Sequence, residues 1–191
     1  MIKSSYPKRG SIRLKGYNYS LSGAYFVTIC VHNKDCIFGE IHNSEMHVNS
    51  YGTIVLEEWK KSEQIRKEIQ MGEYVIMPNH FHGIVYIHAT GTVGRDRLVA
   101  RSTAGLQPKS LGAFIAGFKS SVTSQINKIR NTPGSPIWQR NYYEHIIRDD
   151  DDFIRILQYI EINPAKWEID SLNPLNVNGG ITAPKKNGII K

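Results

Sequence analysis

Met77-Pro78-Asn79-His80-Phe81-His82-Gly83-Ile84-Val85-Tyr86-Ile87 is the stretch whose reading decides the fold of this chain. Tyr74–Met77 reads as a strand, Pro78-Asn79 as a turn, and His80–Ile87 as the returning strand of a hairpin. Side chains alternate between the two faces of a strand. His80 and His82 therefore point to one face and Phe81 points into the opposite layer. Two imidazoles fixed on one rigid strand make half of a metal site, with oxygen ligands and open positions still to be supplied.

Working outward, residues 24–31 (Ala-Tyr-Phe-Val-Thr-Ile-Cys-Val) form a nearly continuous apolar and β-branched run. That pattern predicts a central strand covered on both faces. Segments 36–41 and 45–49 flank the polar turn His42-Asn43-Ser44 and predict a small hairpin. A helix is expected over 51–69, where Ile54, Val55, Trp59 and Ile65 include an apolar stripe and Ser50 is the candidate cap. A second helix is expected over 109–130, with Leu111, Phe114, Ile115, Phe118, Val122 and Ile126 on one face and Lys119, Lys128 and Arg130 off it. Thr132-Pro133-Gly134 ends it. Segment 138–147 reads as an aromatic-rich strand. A third helix begins within Asp149–Asp152, where acidic residues favour the positive helix end. It stops near Asn163, because Pro164 disfavours helical geometry just before it. Residues 88–108 are rich in Gly, Ser, Thr and Arg and read as a long loop, either a linker or a binding flap.

The order is β, hairpin, α, β, β, α, β, α. It predicts an α+β fold of ferredoxin-like type, an antiparallel sheet with helices packed on one face. With 191 residues, 40% of them hydrophobic, the chain suffices for one domain with a real core. It has no run of about 18 apolar residues, so no membrane span is expected. The basic, polar stretch Met1–Lys15 lacks the apolar core of a signal peptide, and a cytoplasmic protein is the expectation. Cys30 and Cys36 make no CxxC pair; Cys30, in its apolar run, reads as a buried thiol. The net charge is +7, with basic clusters at Lys3, Lys8, Arg9, Arg13 and Lys15 and at Lys185 and Lys186. Such a cationic surface favours polyanions, nucleic acid first.

The third helix carries the rest of the chemistry. Phe153, Ile156, Leu157 and Ile160 form its apolar stripe. Tyr159 and Asn163, four residues apart, share a line about a quarter turn away, with Asp152 near the same line. Leaning on the sheet, this helix would hold Tyr159 and Asn163 beside the histidines. A divalent metal on His80, His82 and one oxygen ligand would keep positions open for phosphodiester oxygens. A tyrosine beside it could attack phosphorus and form a covalent phosphotyrosine.

Three blocks in this order resemble the signatures of the REP-associated tyrosine transposases, single-tyrosine HUH-type (IS200-like) enzymes acting on single-stranded DNA. They are Pro78-Asn79-His80-Phe81-His82, the block 138–145 (Trp-Gln-Arg-Asn-Tyr-Tyr-Glu-His), and the block 159–167 (Tyr-Ile-Glu-Ile-Asn-Pro-Ala-Lys-Trp). The resemblance covers about Tyr17 to Trp167 and implies an HUH endonuclease fold; with composition, it divides the chain into a basic segment 1–22, a transposase domain 23–167 and a polar, loosely held tail 168–191. It implies that His80 and His82 bind Mg²⁺ or Mn²⁺, that Asn163 is the oxygen ligand, and that Tyr159 is the nucleophile. The enzyme would cut and rejoin hairpin-forming repeat DNA through a 5′-phosphotyrosine, releasing a 3′ hydroxyl. Tyr142 and Tyr143 alternate, so only one of them can face the site; their block reads as scaffold or DNA contact, and His145 as a packing group or a neighbour of the ligands. Arg13, Lys15, Lys119 and Arg140 are the candidate DNA contacts, and aromatic residues near them could stack unpaired bases. Relatives act as monomers or homodimers. A non-catalytic DNA-binding protein on the same scaffold is the alternative, as are a replication-type HUH nuclease and a metal hydrolase using water.

Overall fold

A computed structural model describes residues 21–88 and 108–176. Strand β1 (Gly23–Cys30) is followed by the hairpin β2 (Gly39–His42) and β3 (Glu45–Val48), helix α1 (Ser50–Ile65), strands β4 (Ile69–Met77) and β5 (His80–Ile87), helix α2 (Leu111–Arg130), strand β6 (Tyr143–Ile147) and helix α3 (Asp150–Ile162). A 3₁₀ turn, Pro164–Ile169, follows α3. The main sheet runs β4-β5-β1-β6, with every neighbouring pair antiparallel. With the small hairpin set aside, the β1-α1-β4-β5-α2-β6 order and this strand arrangement are those of a ferredoxin-like fold.

The hairpin turns through Asn43 and Ser44, both with positive φ (50° and 65°), as a two-residue turn between twisted strands requires. Helix α1 is capped by Asn49 rather than Ser50: the Asn49 side chain accepts from the amides of Tyr51 (2.9 Å) and Gly52 (3.1 Å). The helix also stops at Ile65, earlier than expected, and Ile69 opens β4 instead. The polar Gln70, Gly72 and Glu73, and the register shift between Met71 and Tyr74, concealed the first half of that strand. Of the strand expected over 138–147, only Tyr143–Ile147 joins the ladder, while Trp138 makes an isolated bridge to Val31.

Helices α1 and α2 cover one face, packing Trp59, Phe114 and Phe118 against Tyr25, Val27, Phe81 and Val85. Helix α3 lies on the other face, where Ile156 and Ile160 meet Phe26 and Ile84. The expectation of helices on one face thus holds for the two crossover helices and not for the third. The cause is visible in β1: Phe26 on one side and Tyr25 and Val27 on the other are all fully buried, so both faces need cover. At Gly83 β5 packs tightly on α1; a Cβ there would lie 2.5 Å from the Trp59 ring. Among the described residues, no helix is long and apolar enough to cross a membrane.

Beyond Trp167 the chain, expected to be a loose tail, is held down as far as Asn176. Asp170 and Asn173 are buried, and Asn173 donates to the Trp167 carbonyl at 3.0 Å. Residues 177–191, the segment 1–20 and most of the loop expected over 88–108 lie outside the described residues.

Candidate active site

Across the α3 face of the sheet, Cys30 pairs with His80, and His82 with Thr28, which in turn pairs with Tyr143. Helix α3 lays Tyr159 over this row. Its hydroxyl is 3.4 Å from His82 Nε2, and its ring meets Phe26 edge-on at 5.8 Å. Phe26 also stacks on the His82 imidazole, with 5.4 Å between centroids. The two imidazoles are 4.6 Å apart. All of these groups come from one chain.

Both histidines are fully buried. Burial holds His80 down at about 3, aided by the nearby Lys34 charge, and pushes His82 well below its ordinary value. Each is therefore neutral, the form that can ligate a metal. The hydrogen-bond network fixes the His80 tautomer. Asn79 Nδ2 donates to the carbonyls of Lys34 (3.0 Å) and Leu172 (2.7 Å). Its oxygen must then be the group 2.8 Å from His80 Nδ1. Nδ1 carries the proton, and Nε2 presents a bare lone pair. His82 Nδ1 is 2.8 Å from the Thr28 hydroxyl, which directs its Nε2 toward Tyr159.

Asn163, at the end of α3, is buried to 4% exposure. Its Oδ1 and His80 Nε2 are both buried without a hydrogen-bond partner. A small cavity of about 30 Å³ opens between Tyr159, Ile162, Asn163, Lys166 and Asp170. That is room for one ion or one water. Among the described residues no three His, Cys, Asp or Glu side chains form a ready-made metal cage. The donors present are two imidazole nitrogens and an amide oxygen, a set that suits a divalent cation with positions left open. The unpartnered lone pairs on His80 and Asn163 fit such an ion.

Burial raises Tyr159 to about 12, against a hydrogen bond from Asn163 and with Asp170, Cys30 and Tyr143 adding to the rise. The phenol is thus protonated at rest. Of the paired tyrosines, Tyr143 faces this side and Tyr142 packs toward the other core. Asp152, placed from sequence near the Tyr159–Asn163 line, is engaged elsewhere. Its carboxylate is 2.7 Å from His145 Nε2 and 3.2 Å from Arg155. Cys30 is a free thiol beside His80, pushed up to about 11 by burial.

The basic candidates fall apart from this cluster. Lys119 donates to the carbonyls of Gln139 and Arg140, and burial lowers it to about 8. Arg140 is exposed. With Lys119 and Lys128 it borders a groove of about 1010 Å³ between α2 and segment 133–142, whose charged lining is all basic. Arg13 and Lys15 lie outside the described residues. Two neighbours of the site were not singled out from the sequence. Asn79 was read as a turn residue and as part of the HxH block, with no role of its own, although its place directly before the HxH pair was a signal. Asp170 lies in polar sequence that carries no pattern.

No family model matches the chain. An uncharacterized protein of Haemophilus influenzae is 42% identical over 169 residues, covering 86% of this chain and 92% of that protein. A second protein of that organism, named "Putative REP-associated tyrosine transposase", is 51% identical over 43 residues, 22% of this chain and 24% of its own length. The solved structure of a REP-associated tyrosine transposase bound to a REP hairpin aligns with a TM-score of 0.54 at 17% identity, over 81% of this chain and 74% of the other. That likeness is one of fold, and it agrees with the α+β architecture and antiparallel sheet described above. The chain and the 42%-identical Haemophilus protein are members of one family, and a 43-residue stretch of the chain is similar to the putative REP-associated tyrosine transposase of the same organism.

Proposed function

We propose that this protein is a metal-dependent transposase that cleaves and rejoins single-stranded, hairpin-forming repeat DNA through a 5′-phosphotyrosine. The observation that carries this reading is the Tyr159 hydroxyl 3.4 Å from His82 Nε2, next to the unpartnered lone pair of His80. His80, His82 and Asn163 would hold Mg²⁺ or Mn²⁺. When bound, that ion would polarise the scissile phosphate and offset its charge.

The remaining work falls to the chain. Tyr159 Oη forms a bond to phosphorus as the bond from phosphorus to the 3′ oxygen breaks. The phenol gives up one proton and the departing 3′ hydroxyl takes one, so the step is balanced. The phosphotyrosine conserves the phosphodiester's energy, and attack by a 3′ hydroxyl reverses the cut. Phe26 supports this role by buttressing both the His82 and Tyr159 rings, which limits the movement of nucleophile against ligand.

A hairpin substrate is supported by the sequence resemblance and by the solved REP-associated tyrosine transposase of like fold, which is bound to a REP hairpin. The basic groove supports a path for DNA, since Gln139 on its wall donates to the Cys30 carbonyl at 2.9 Å, at the His80 edge of the sheet. Lys128 and Arg140 there, with Arg13 and Lys15 of the basic N-terminal segment, would neutralise phosphates. We take the catalytic domain to begin near Gly23 and to extend past Trp167, because the buried Asp170 belongs with it.

The test is a denaturing gel of the protein with single-stranded hairpin DNA from repeats flanking its gene, with Mn²⁺ or chelator. A covalent adduct is expected, lost with chelator, in Tyr159→Phe and in His80→Ala. Cleavage without an adduct would replace this reading with a water-using nuclease. Tight binding with neither would leave a DNA-binding protein on the same scaffold.

A further inference from the structure

We infer that Asp170 supplies a carboxylate ligand to the same cation, so that the segment after α3 completes the metal site; this rests on the function proposed above. Asp170 is 5% exposed and lines the small cavity with Tyr159 and Asn163. Its two oxygens are differently engaged. Oδ1 accepts from the Leu172 amide at 2.7 Å. Oδ2 points to His80 Nε2 at 3.8 Å, the buried lone pair that has no partner of its own. At 3.8 Å the two atoms are too far apart for a hydrogen bond, and the Asn79 contact draws the imidazole proton to Nδ1, away from the carboxylate. Two lone-pair donors facing each other in a buried place call for a cation between them.

The distance fits. Ligands about 2.1 Å from one ion lie about 3.0 Å apart at a right angle and about 4.2 Å apart across it, and the observed separation falls between. The turn that carries Asp170 is fastened to the histidine end of β5. Asn79, which sets the His80 tautomer, also donates to Leu172 O at 2.7 Å, and Lys34 reaches Ser171 O at 3.3 Å. One amide thus aligns the imidazole and the carboxylate together. A carboxylate also gives the set the negative charge that two imidazoles and an amide lack, and hard divalent cations favour such oxygen ligands.

The experiment is Mn²⁺ binding by the full chain without DNA, followed by calorimetric titration and by the electron paramagnetic resonance of free Mn²⁺. Wild type should bind and His80→Ala should lose binding. Asp170→Asn, which keeps an acceptor for the Leu172 amide, should bind about tenfold more weakly or worse, with an unchanged metal-free melting temperature. Asp170→Ser, which also retains an acceptor, should show the same loss and serves if the Asn variant fails to fold. Wild-type affinity in either folded variant, with binding lost in His80→Ala, overturns the role of Asp170 alone. No binding by wild type overturns the metal-dependent reading and this inference with it.

Discussion

The two faces of the sheet are built from the same strands and do opposite things. Toward α1 and α2, β5 sends Phe81 into a dry aromatic cluster, with Trp59 at 4.4 Å between centroids and Phe118 at 5.9 Å. Toward α3 it sends His80 and His82, which are equally buried. Beside the aromatic cluster and beside the histidines, the orphaned polar atoms differ in kind. On the first face, Trp59 and Trp138 leave indole N–H groups without partners, and these can bind no cation. On the second, His80 Nε2 and Asn163 Oδ1 leave lone pairs. One layer holds the fold, and the other keeps unmet donors for something that arrives later.

The sharpest way to break this comparison is to substitute consecutive residues of β5. Phe81→Ala should cost about 3–5 kcal/mol, because a fully buried ring leaves a cavity among rigid aromatics. Its urea midpoint should fall accordingly, and any activity still present below that midpoint should be close to that of wild type. His80→Ala, one residue earlier, should leave stability far less changed while abolishing the adduct. Equal stability losses in the two variants would show that the faces are not divided in this way.

The alternation rule read this division correctly, because it depends only on the pleat of a strand. The Tyr159–Asn163 line was legible for a similar reason, since helical spacing fixes the face. Both patterns are local. Placing α3 on the far side of the sheet required knowing that Phe26 and Ile84 would otherwise meet water, a matter of tertiary packing. Asp170 was illegible because it follows a helix-ending proline in a polar, Asn- and Pro-rich stretch. Its burial depends on Asn79, 91 positions earlier, bonding to Leu172. The composition of a segment says little about whether a single partner will hold it down.

That dependence gives a second prediction, of intermediate size. Asn79→Ala removes the acceptor for His80 Nδ1 and the tie to Leu172 at one stroke. Mn²⁺ affinity should fall about tenfold, and hydrogen exchange should quicken at 170–173 while β5 stays protected. Unchanged affinity would mean that the imidazole needs no orienting partner.

The smallest effect lies at the start of α3, where Asp152 joins the helix to β6 through His145 and pairs with Arg155 on its own helix. Burial tends to raise this carboxyl, yet its bonds to His145, Arg155 and the Arg148 amide outweigh that and hold it below its ordinary value. A depressed carboxylate contributes stability that is fully present above its unfolded value of about 3.9. The contribution fades as pH falls through the folded value. Asp152→Asn should therefore cost about 1–2 kcal/mol near pH 7, and the gap from wild type should narrow in urea titrations below about pH 4. The variant tests whether α3 is anchored at its first turn as well as by its apolar stripe. If the stripe alone suffices, the gap will be near zero at every pH. Tyr159 would then be positioned only by packing on Phe26 and Ile84, the part of this face that most resembles its opposite.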